Sequence, residues 1–324
     1  MVSVGYFLSC EESGPHELVR QARWAEEAGF ERLWISDHYH PWVDAQGQSP
    51  FVWGVIGALS QVTRLPITTA VTCPTVRVHP AVIAQAAATA AVQCEGRFVL
   101  GVGSGEYLNE HILGDHWPPA DIRLGMLEEA VELIRALHRG DRVTYRGVYY
   151  EVENARIYTL PDEPVPIYVS GFGPKSAALA GRIGDGYIST SPNRELVARF
   201  RECGGEGLPA QAGFKVCWAP TEEQGVATVR RLWPNEGIPG ELSQVLPEPR
   251  HFEQAAGMVT DEALRQAVPC GPDPEPQIAR VRAYAEAGFD EVYVRQIGPD
   301  QERFFALWRD EVLPRVRDMA LAAS

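Results

Sequence analysis

Apolar, β-branched segments alternate with segments of helical periodicity along the whole chain. The predicted strands lie at 2–8, 32–36, 66–73, 97–102, 165–169, 186–190, 213–218 and 291–294. The predicted helices lie at 16–28, 50–63, 80–94, 121–138, 174–183, 274–287 and 301–320. Strands that alternate with helices in this way are typical of a parallel sheet with crossover helices. The pattern predicts a (β/α)8 TIM barrel, with a doubly wound open sheet as the alternative.

Two segments interrupt the alternation and are predicted as insertions. A barrel of this kind needs about 250 residues, which leaves roughly 70 for additional elements. Residues 141–160 contain two aromatic strand-like runs around Arg146-Gly147, a pattern typical of an external hairpin. Residues 221–268 are helical, then rich in Pro and Gly, then helical again. We expect this second segment to be a helical excursion over the barrel mouth, within a single domain that spans 1–324.

The charge balance excludes some classes of partner. The chain has 29 Lys plus Arg against 43 Asp plus Glu, a net charge of −14, so nucleic acid is not an expected partner. No apolar run reaches the ~18–20 residues that cross a bilayer, so we expect no membrane partner and a cytoplasmic protein. The six cysteines have no metal-finger spacing and are expected to be reduced thiols.

The segments that follow three predicted strands carry the candidate chemistry. In a barrel the active site lies at the carboxyl ends of the strands. The second strand is followed by residues 36–42, which carry both His38 and His40. Glycines in residues 101–110 allow close backbone approach, and residues 170–175 lead into a helix whose first N–H groups could bind an anion.

The pair His38 and His40 also raises a metal centre as an alternative. Such a centre would need further ligands after the fifth, sixth and eighth strands, where suitable residues are lacking, so no metal is predicted. A metal hydrolase and a catalytically silent cofactor-binding protein stay open as alternatives.

Two of these segments resemble a known family. Ser36-Asp37-His38-Tyr39-His40-Pro41-Trp42 and Gly103-Ser104-Gly105-Glu106-Tyr107-Leu108-Asn109-Glu110 are similar to the luciferase-like monooxygenase superfamily. Within it, the chain resembles the branch of coenzyme F420 (deazaflavin) dependent oxidoreductases typified by glucose-6-phosphate dehydrogenase. The resemblance implies hydride transfer between a substrate carbinol carbon and F420. It implies His38 as the general base, with Trp42 and Glu106 supporting the charge that develops on the ring.

The resemblance also implies where the cofactor binds. It implies a non-proline cis peptide at Ala70-Val71 beneath the ring, with Cys73 nearby and Asp37 beside His38. The remaining cofactor-binding candidates lie after the fourth, fifth and sixth strands, and several offer backbone N–H groups to the anionic tail. These candidates are Ser104, Gly105, Ser170, Gly171, Phe172, Gly173, Thr190 and Ser191. Members of this branch are usually homodimers, so a homodimer is expected.

One departure from the family concerns the substrate. Sugar-phosphate members bind the phosphate with two lysines and an arginine, and the matching positions here are Asn193, Ser243 and Ala267. The only lysines, Lys175 and Lys215, are expected to lie elsewhere, whereas Arg194 and Arg250 are nearby in sequence. We therefore expect an unphosphorylated alcohol or carbonyl compound as the small-molecule substrate. An F420-dependent sugar-phosphate dehydrogenase and an FMN-dependent monooxygenase are the alternatives.

Overall fold

Eight parallel strands close into a barrel in the computed structural model, which describes residues 2–322. In order around the barrel, they are β1 (Ser3–Leu8), β2 (Arg32–Ile35), β3 (Ile67–Thr69), β4 (Phe98–Val102), β7 (Ile167–Ser170), β8 (Gly186–Ser189), β9 (Ala210–Val216) and β10 (Glu291–Gln296). β10 pairs with β1 and closes the ring. The predicted (β/α)8 barrel is confirmed, and the open sheet is wrong because no barrel strand is left as an edge.

Helices surround the barrel, and most of them bury their apolar faces against the strands. They are α1 (Pro15–Ala28), α2 (Val52–Leu59), α3 (Pro80–Gln93), α4 (Tyr107–Glu110), α5 (Ala120–His138), α6 (Pro174–Ile183), α7 (Arg194–Phe200), α8 (Glu222–Leu232), α9 (Leu242–Val245), α10 (Pro249–Ala256), α11 (Asp261–Ala267), α12 (Pro274–Ala287), α13 (Gln301–Leu307) and α14 (Leu313–Ala322). The helical periodicity does not predict α7, which is only 7 residues long. None of the helices within residues 2–322 combines the length and the apolar character that a membrane crossing requires.

Large side chains fill the interior of the barrel. Trp34 stacks on Tyr293 with ring centroids 4.3 Å apart, and its indole Nε1 donates to Gln211 Oε1 at 2.8 Å. Glu291 accepts from the hydroxyl of Tyr293 at 2.6 Å and from Gln211 Nε2 at 2.8 Å. A Cβ on Gly213 would lie 2.5 Å from the Trp34 ring, so this strand position has no room for a side chain. The filled interior leaves the carboxyl ends of the strands as the place for a site.

Both predicted insertions are present. β5 (Val143–Arg146) and β6 (Glu151–Ala155) form the antiparallel hairpin expected within 141–160. The carboxylate of Glu129 accepts from the backbone N–H groups of Val148, Tyr149 and Tyr150 at 2.8–3.0 Å and so holds the turn.

The excursion between β9 and β10 contains α8 to α11 and packs onto the loop that follows β2. Trp42 of that loop contacts an apolar cluster contributed largely by the excursion. Trp233 is 1% exposed, and its Nε1 donates to Glu12 Oε2 at 2.7 Å. These contacts place the excursion against the mouth of the barrel.

Gly171 is needed for the packing of α6. A Cβ at this position would lie 2.8 Å from the backbone nitrogen of Ala177 and 2.8 Å from the carbonyl carbon of Ser176. Gly171→Val is therefore expected to lower the free energy of unfolding by about 1–3 kcal/mol through overpacking, measured by urea denaturation. The matched control is Gly173→Ala, because nothing lies within 4 Å of a Cβ there. Equal unfolding midpoints for Gly171→Val and the unaltered protein would contradict this account.

Candidate active site

The loops after three barrel strands bring one imidazole together with two carboxyl groups. Glu11 follows β1, His38 follows β2 and Glu106 follows β4. His38 Nε2 lies 3.4 Å from Glu11 Oε1 and 3.4 Å from Glu106 Oε2. The His38 side chain is 10% exposed, so a small molecule at the mouth could reach it. The arrangement can accept a proton at Nε2 and stabilise the positive charge that results.

Glu11 is the ionised partner of this group. Its Oε2 accepts from the hydroxyls of Ser9 at 2.7 Å and Ser36 at 2.6 Å. Burial by itself would raise the pKa of this carboxyl, but the positive charge of His38 and the two hydroxyls together hold that pKa below its usual range. The sequence reasoning missed Glu11. The signal was present, because Glu11 is the third residue after β1, just as His38 is the third residue after β2.

Glu106 is the carboxyl group that can be protonated near neutral pH. Burial raises the pKa of Glu106 to about 7. The negative charges of Glu11 and Glu110 also raise this pKa, whereas the positive charges of His38 and Lys215 lower it. Its side chain is 28% exposed. A neutral carboxylic acid can donate a hydrogen bond, which a carboxylate cannot.

Asn109 connects the loops that carry His38 and Glu106. Its Oδ1 accepts from the backbone N–H groups of Tyr39 at 2.9 Å and His40 at 3.2 Å. These two donors orient the amide so that Nδ2 donates to Glu106 Oε2 at 3.1 Å and lies 3.2 Å from His38 Nδ1. Asn109 was within the sequence motif, but nothing in the motif assigns it this positioning role.

His38 has a partner for either neutral tautomer. With the proton on Nδ1, the ring donates to the carbonyl oxygen of His40 at 3.1 Å and leaves Nε2 able to accept a proton. With the proton on Nε2, Nδ1 accepts from Asn109 Nδ2, and Nε2 faces the carboxyl groups of Glu11 and Glu106. The ring can therefore gain or lose a proton at Nε2 without moving.

Trp42 lies beside His38, as the prediction requires. The two rings are 5.0 Å apart, and Trp42 meets Phe252 of α10 edge to face at 5.2 Å. The backbone N–H of Trp42 donates to Gln46 Oε1 at 2.8 Å, which fixes the loop. The structure thus brings together the three predicted catalytic residues, His38, Trp42 and Glu106.

Asp37 belongs to a buried ion-pair network just below this group. Its Oδ2 accepts from the Thr72 hydroxyl at 2.8 Å, and its Oδ1 accepts from Arg77 Nη2 at 3.0 Å. Arg77 also donates its backbone N–H to Glu110 at 2.7 Å, and the two carboxylates hold the pKa of Arg77 above its usual range although burial opposes the charge. Asp37 therefore joins the loops after β2 and β3, and its contact with a cofactor stays a prediction.

The predicted cis peptide at Ala70-Val71 is present. Both side chains are partly exposed and pack on the aromatic group that fills the barrel.

Cys73 is buried, with its Sγ 3.0 Å from the Thr75 hydroxyl. Burial raises the pKa of the Cys73 thiol, so the thiol is protonated and unsuited to act as a nucleophile. A Cβ on Gly105 would lie 2.6 Å from that sulfur, and the φ of Gly105 is +83°.

The loop at the start of α6 offers fewer N–H groups than the sequence predicts. The N–H of Gly171 donates to the Ile188 carbonyl at 3.0 Å, and that of Gly173 donates to the Ser176 hydroxyl at 3.1 Å. Local packing therefore already uses these two N–H groups, and their contact with the anionic tail of a cofactor stays a prediction. The remaining candidates of this region are Ser104 and Phe172, which are at least partly exposed, Ser170, which is buried, and Thr190 and Ser191, which are exposed.

The second histidine of the motif faces away from Nε2 of the first. His40 Nδ1 lies 2.9 Å from the Leu108 carbonyl oxygen, and its ring stacks on His111 at 5.5 Å. Within residues 2–322 no group of three or more His, Cys, Asp or Glu side chains is arranged to hold a metal ion.

Lys215 lies at the mouth, contrary to the expectation that both lysines lie elsewhere. It follows Gln211 and Gly213 on the inward face of β9, and its charge acts on Glu106. Its Nζ is 2.8 Å from Glu236 Oε1. The expectation failed because the strand begins at Ala210 and ends at Val216, which places Lys215 at the carboxyl rim.

The other positions tied to phosphate recognition carry uncharged residues, and the two nearby arginines bond to groups outside the site. Asn193 caps α7, and its side chain accepts from the N–H groups of Glu195 and Leu196. Arg194 donates to the carbonyl of Glu286, and Arg250 forms an exposed ion pair with Glu248. Ser243 and Ala267 lie in α9 and α11.

Sequence relatives cover nearly the whole chain. The family described as luciferase-like monooxygenase matches residues 2–291. The chain is 38% identical over 327 residues to an F420-dependent glucose-6-phosphate dehydrogenase of Microbacterium testaceum, covering 97% of each protein. It is 35% identical over 331 residues to the protein of that description in Mycobacterium avium, covering 98% of each.

Solved structures agree with this placement. An F420-dependent secondary alcohol dehydrogenase in complex with an F420-acetone adduct is 31% identical, with a TM-score of 0.90 over 97% of this chain and 99% of that one. The coenzyme F420 dependent tetrahydromethanopterin reductase from Methanopyrus kandleri shares the fold, with a TM-score of 0.75 over 97% of this chain and 99% of that one, at 21% identity. The chain therefore belongs to the luciferase-like monooxygenase family, in the branch that holds the F420-dependent dehydrogenases.

Proposed function

We propose that the protein is an F420-dependent dehydrogenase or reductase that acts on an unphosphorylated alcohol or the corresponding carbonyl compound. The observation that carries the proposal is the position of His38 Nε2 between Glu11 and Glu106, 3.4 Å from each. Removing hydride from an alcohol requires a base for the hydroxyl proton, and an imidazole poised between carboxyl groups is suited to that task. The F420-dependent relatives support the identity of the cofactor.

The residues at the mouth fit a flat redox cofactor. Ala70 and Val71 present partly exposed apolar surface at the end of β3, next to the loop that carries Ser104 and Gly105. The N-terminus of α6 lies on the same rim and suits an anionic tail. When bound, F420 would supply a ring carbon that accepts or returns a hydride.

In this proposal His38 moves the proton. Its Nδ1–H donates to the carbonyl of His40, so Nε2 is free to take the substrate hydroxyl proton. The carboxylate of Glu11 stabilises the imidazolium that forms, and two serine hydroxyls keep that carboxylate in place. In the reverse direction the same nitrogen returns the proton to a carbonyl oxygen.

In this proposal Glu106 and Trp42 would stabilise the negative charge that hydride transfer places on the cofactor ring. In its protonated form the Glu106 carboxyl group donates a hydrogen bond. Asn109 Nδ2 donates to Oε2 of that carboxyl group at 3.1 Å and so fixes its orientation. Trp42 covers one side of His38 and shields it from water through its contact with Phe252. A dry site strengthens each of these interactions.

Glu106→Gln separates hydrogen-bond donation from titration. Because the pKa of Glu106 is raised to about 7, the acid form is present below that pH and is lost above it. We expect kcat/KM for alcohol oxidation to fall above a pH of about 7 in the unaltered enzyme. Glutamine still donates a hydrogen bond but does not titrate, so the kcat/KM of the variant should lack this alkaline limb, the fall at high pH. We expect this kcat/KM to be about 10-fold to 100-fold lower than that of the unaltered enzyme. Persistence of the limb in the variant would assign it to another group.

The substrate class follows from charge at the mouth. The ammonium of Lys215 is paired with Glu236, and Asn193 and Ala267 carry no charge. A phosphate group needs uncompensated cations or convergent N–H donors to replace its hydration. The mouth therefore suits an uncharged alcohol or ketone better than a sugar phosphate.

Cofactor titration and turnover test the proposal together. Quenching of deazaflavin fluorescence measures F420 affinity, and a parallel titration with FMN tests the monooxygenase alternative. Purified protein is then assayed for F420 reduction with uncharged alcohols and with glucose 6-phosphate. We expect F420 to bind and neutral alcohols to be oxidised. Preferential binding of FMN, or glucose 6-phosphate as the only good substrate, would refute the proposed function.

A further inference from the structure

Lys215 places an ammonium group at the mouth of the barrel. Gln211 and Gly213 precede it on the inward face of β9, where Gln211 contacts Trp34. Lys215 is the last residue of this row, so its side chain lies above the filled interior. It is 17% exposed, and its Nζ lies 4.5 Å from the ring centroid of Trp233. Burial raises the pKa of Glu106, and the positive charge of Lys215 opposes that shift.

Glu236 is held against Lys215 by the excursion. It follows Trp233 in a short 3-10 turn, and its backbone N–H donates to the Trp233 carbonyl at 3.2 Å. The Trp233 indole is fixed in turn by Glu12, which also accepts the N–H of Gly298 at 2.7 Å and lies 3.4 Å from Arg295. The Glu236 backbone is therefore anchored to the loops after β1 and β10, independently of Lys215.

The pair presents both charges to the mouth. The Glu236 side chain is 23% exposed, and the 2.8 Å separation from Lys215 is that of a charge-assisted hydrogen bond. An anionic group that approached the ammonium would meet the carboxylate as well, and it would have to displace an anchored partner. A hydroxyl or carbonyl group could bond to one member of the pair without adding net charge.

We infer that Glu236 is a specificity-determining residue that keeps anionic substrates out of the mouth by neutralising Lys215, and that the pair admits uncharged polar alcohols instead. This inference deepens the proposed function and rests on it for the identity of the substrate. Specificity of this kind comes from rejecting the wrong ligand as much as from binding the right one. No change in the fold is needed to remove the barrier, because the cation is already present.

The test uses Glu236→Gln and inorganic phosphate as the probe. Calorimetric titration of the full chain without cofactor should show phosphate binding at least about tenfold tighter in this variant than in the unaltered protein. The double variant with Lys215→Met should lose the gain, whereas phosphate bound elsewhere, such as at α6, would be unaffected by the second change. Thermal unfolding verifies that each variant is folded.

The second lysine provides a matched control. Lys175 pairs with Asp121 at 2.7 Å on an exposed surface, so Asp121→Asn also frees an ammonium group but away from the mouth. This control should not gain phosphate binding. The inference is overturned if Glu236→Gln binds phosphate no better than the unaltered protein, or if the gain survives Lys215→Met.

Turnover provides a separate arm. With F420 and an alcohol that the unaltered enzyme oxidises, phosphate should inhibit Glu236→Gln competitively and at about tenfold lower concentration than the unaltered enzyme. The binding arm needs neither cofactor nor turnover. A protein that oxidises no alcohol would therefore refute the proposed function while leaving the role of Glu236 to be decided by phosphate binding alone.

Discussion

His38→Ala is expected to lower kcat for F420-linked alcohol oxidation by ~10²–10⁴-fold, the usual contribution of a positioned general base. The imidazole Nε2 is the nitrogen that faces both carboxyl groups, and its removal leaves the hydroxyl proton without an acceptor at that place. F420 affinity, measured by fluorescence quenching, should change little. Stopped-flow measurement of deazaflavin reduction reports the hydride-transfer step directly.

His40→Ala is the matched control for this prediction. It removes the neighbouring imidazole, whose Nδ1 contacts the Leu108 carbonyl rather than the two carboxyl groups. The His40 backbone carbonyl, which lies 3.1 Å from His38 Nδ1, is retained in this variant. Added imidazole should partly restore turnover of His38→Ala. Full activity of His38→Ala would remove this residue from the mechanism.

Glu11→Gln is expected to lower kcat by roughly 10²–10³-fold, the range seen when one preorganised electrostatic contact is removed. In the proposed mechanism, the Glu11 carboxylate, 3.4 Å from His38 Nε2, stabilises the positive charge that His38 gains when it accepts a proton. Glutamine has nearly the same shape but no charge. Its amide N–H group could also face the imidazole at the place where the carboxylate oxygen of Glu11 lies. The loss should therefore appear in kcat, with F420 affinity retained.

The charge of Glu11 also predicts a stability effect with a defined sign. The pKa of Glu11 is lower in the folded protein than its ordinary value, so its ionised form is favoured by folding. That contribution is present above the ordinary carboxyl pKa and is lost as the pH falls through the lowered value. The free energy of unfolding should thus fall less steeply with decreasing pH in Glu11→Gln than in the unaltered protein.

The kinetic prediction for Glu11→Gln has its own contrary outcome. Turnover near that of the unaltered enzyme would contradict the proposed role of Glu11.

Local sequence pattern was sufficient for the barrel and for part of the site. Each strand and helix depends on the spacing of apolar residues over a few turns, and the rule that barrel sites lie at the carboxyl ends of strands then placed His38 and Glu106 on one rim. Applied also to the first strand, the same rule would have found Glu11. The homodimer and the cytoplasmic location stay predictions.

Other features depend on which loops meet in space. Gly171 follows a strand as a ligand-binding glycine would, yet the close backbone of Ser176 and Ala177 accounts for its lack of a side chain. In the sequence, Asn109 is only one of several polar residues in a motif. Its positioning role becomes visible only in the fold, where the loop after β2 bonds to its side chain. Such contacts join residues that are far apart along the chain, where periodicity carries no information.

The amino-acid pattern along the chain was enough to predict the alternation of strands and helices, the rim that carries the candidate site and the residue types available there for proton transfer. The charges that meet became clear only from the folded chain: Glu11 pairs with His38, and Glu236 pairs with Lys215. The physical reason is that apolar periodicity acts between neighbours in the chain, whereas the ionisation of a buried group depends on burial and on charges contributed by distant loops.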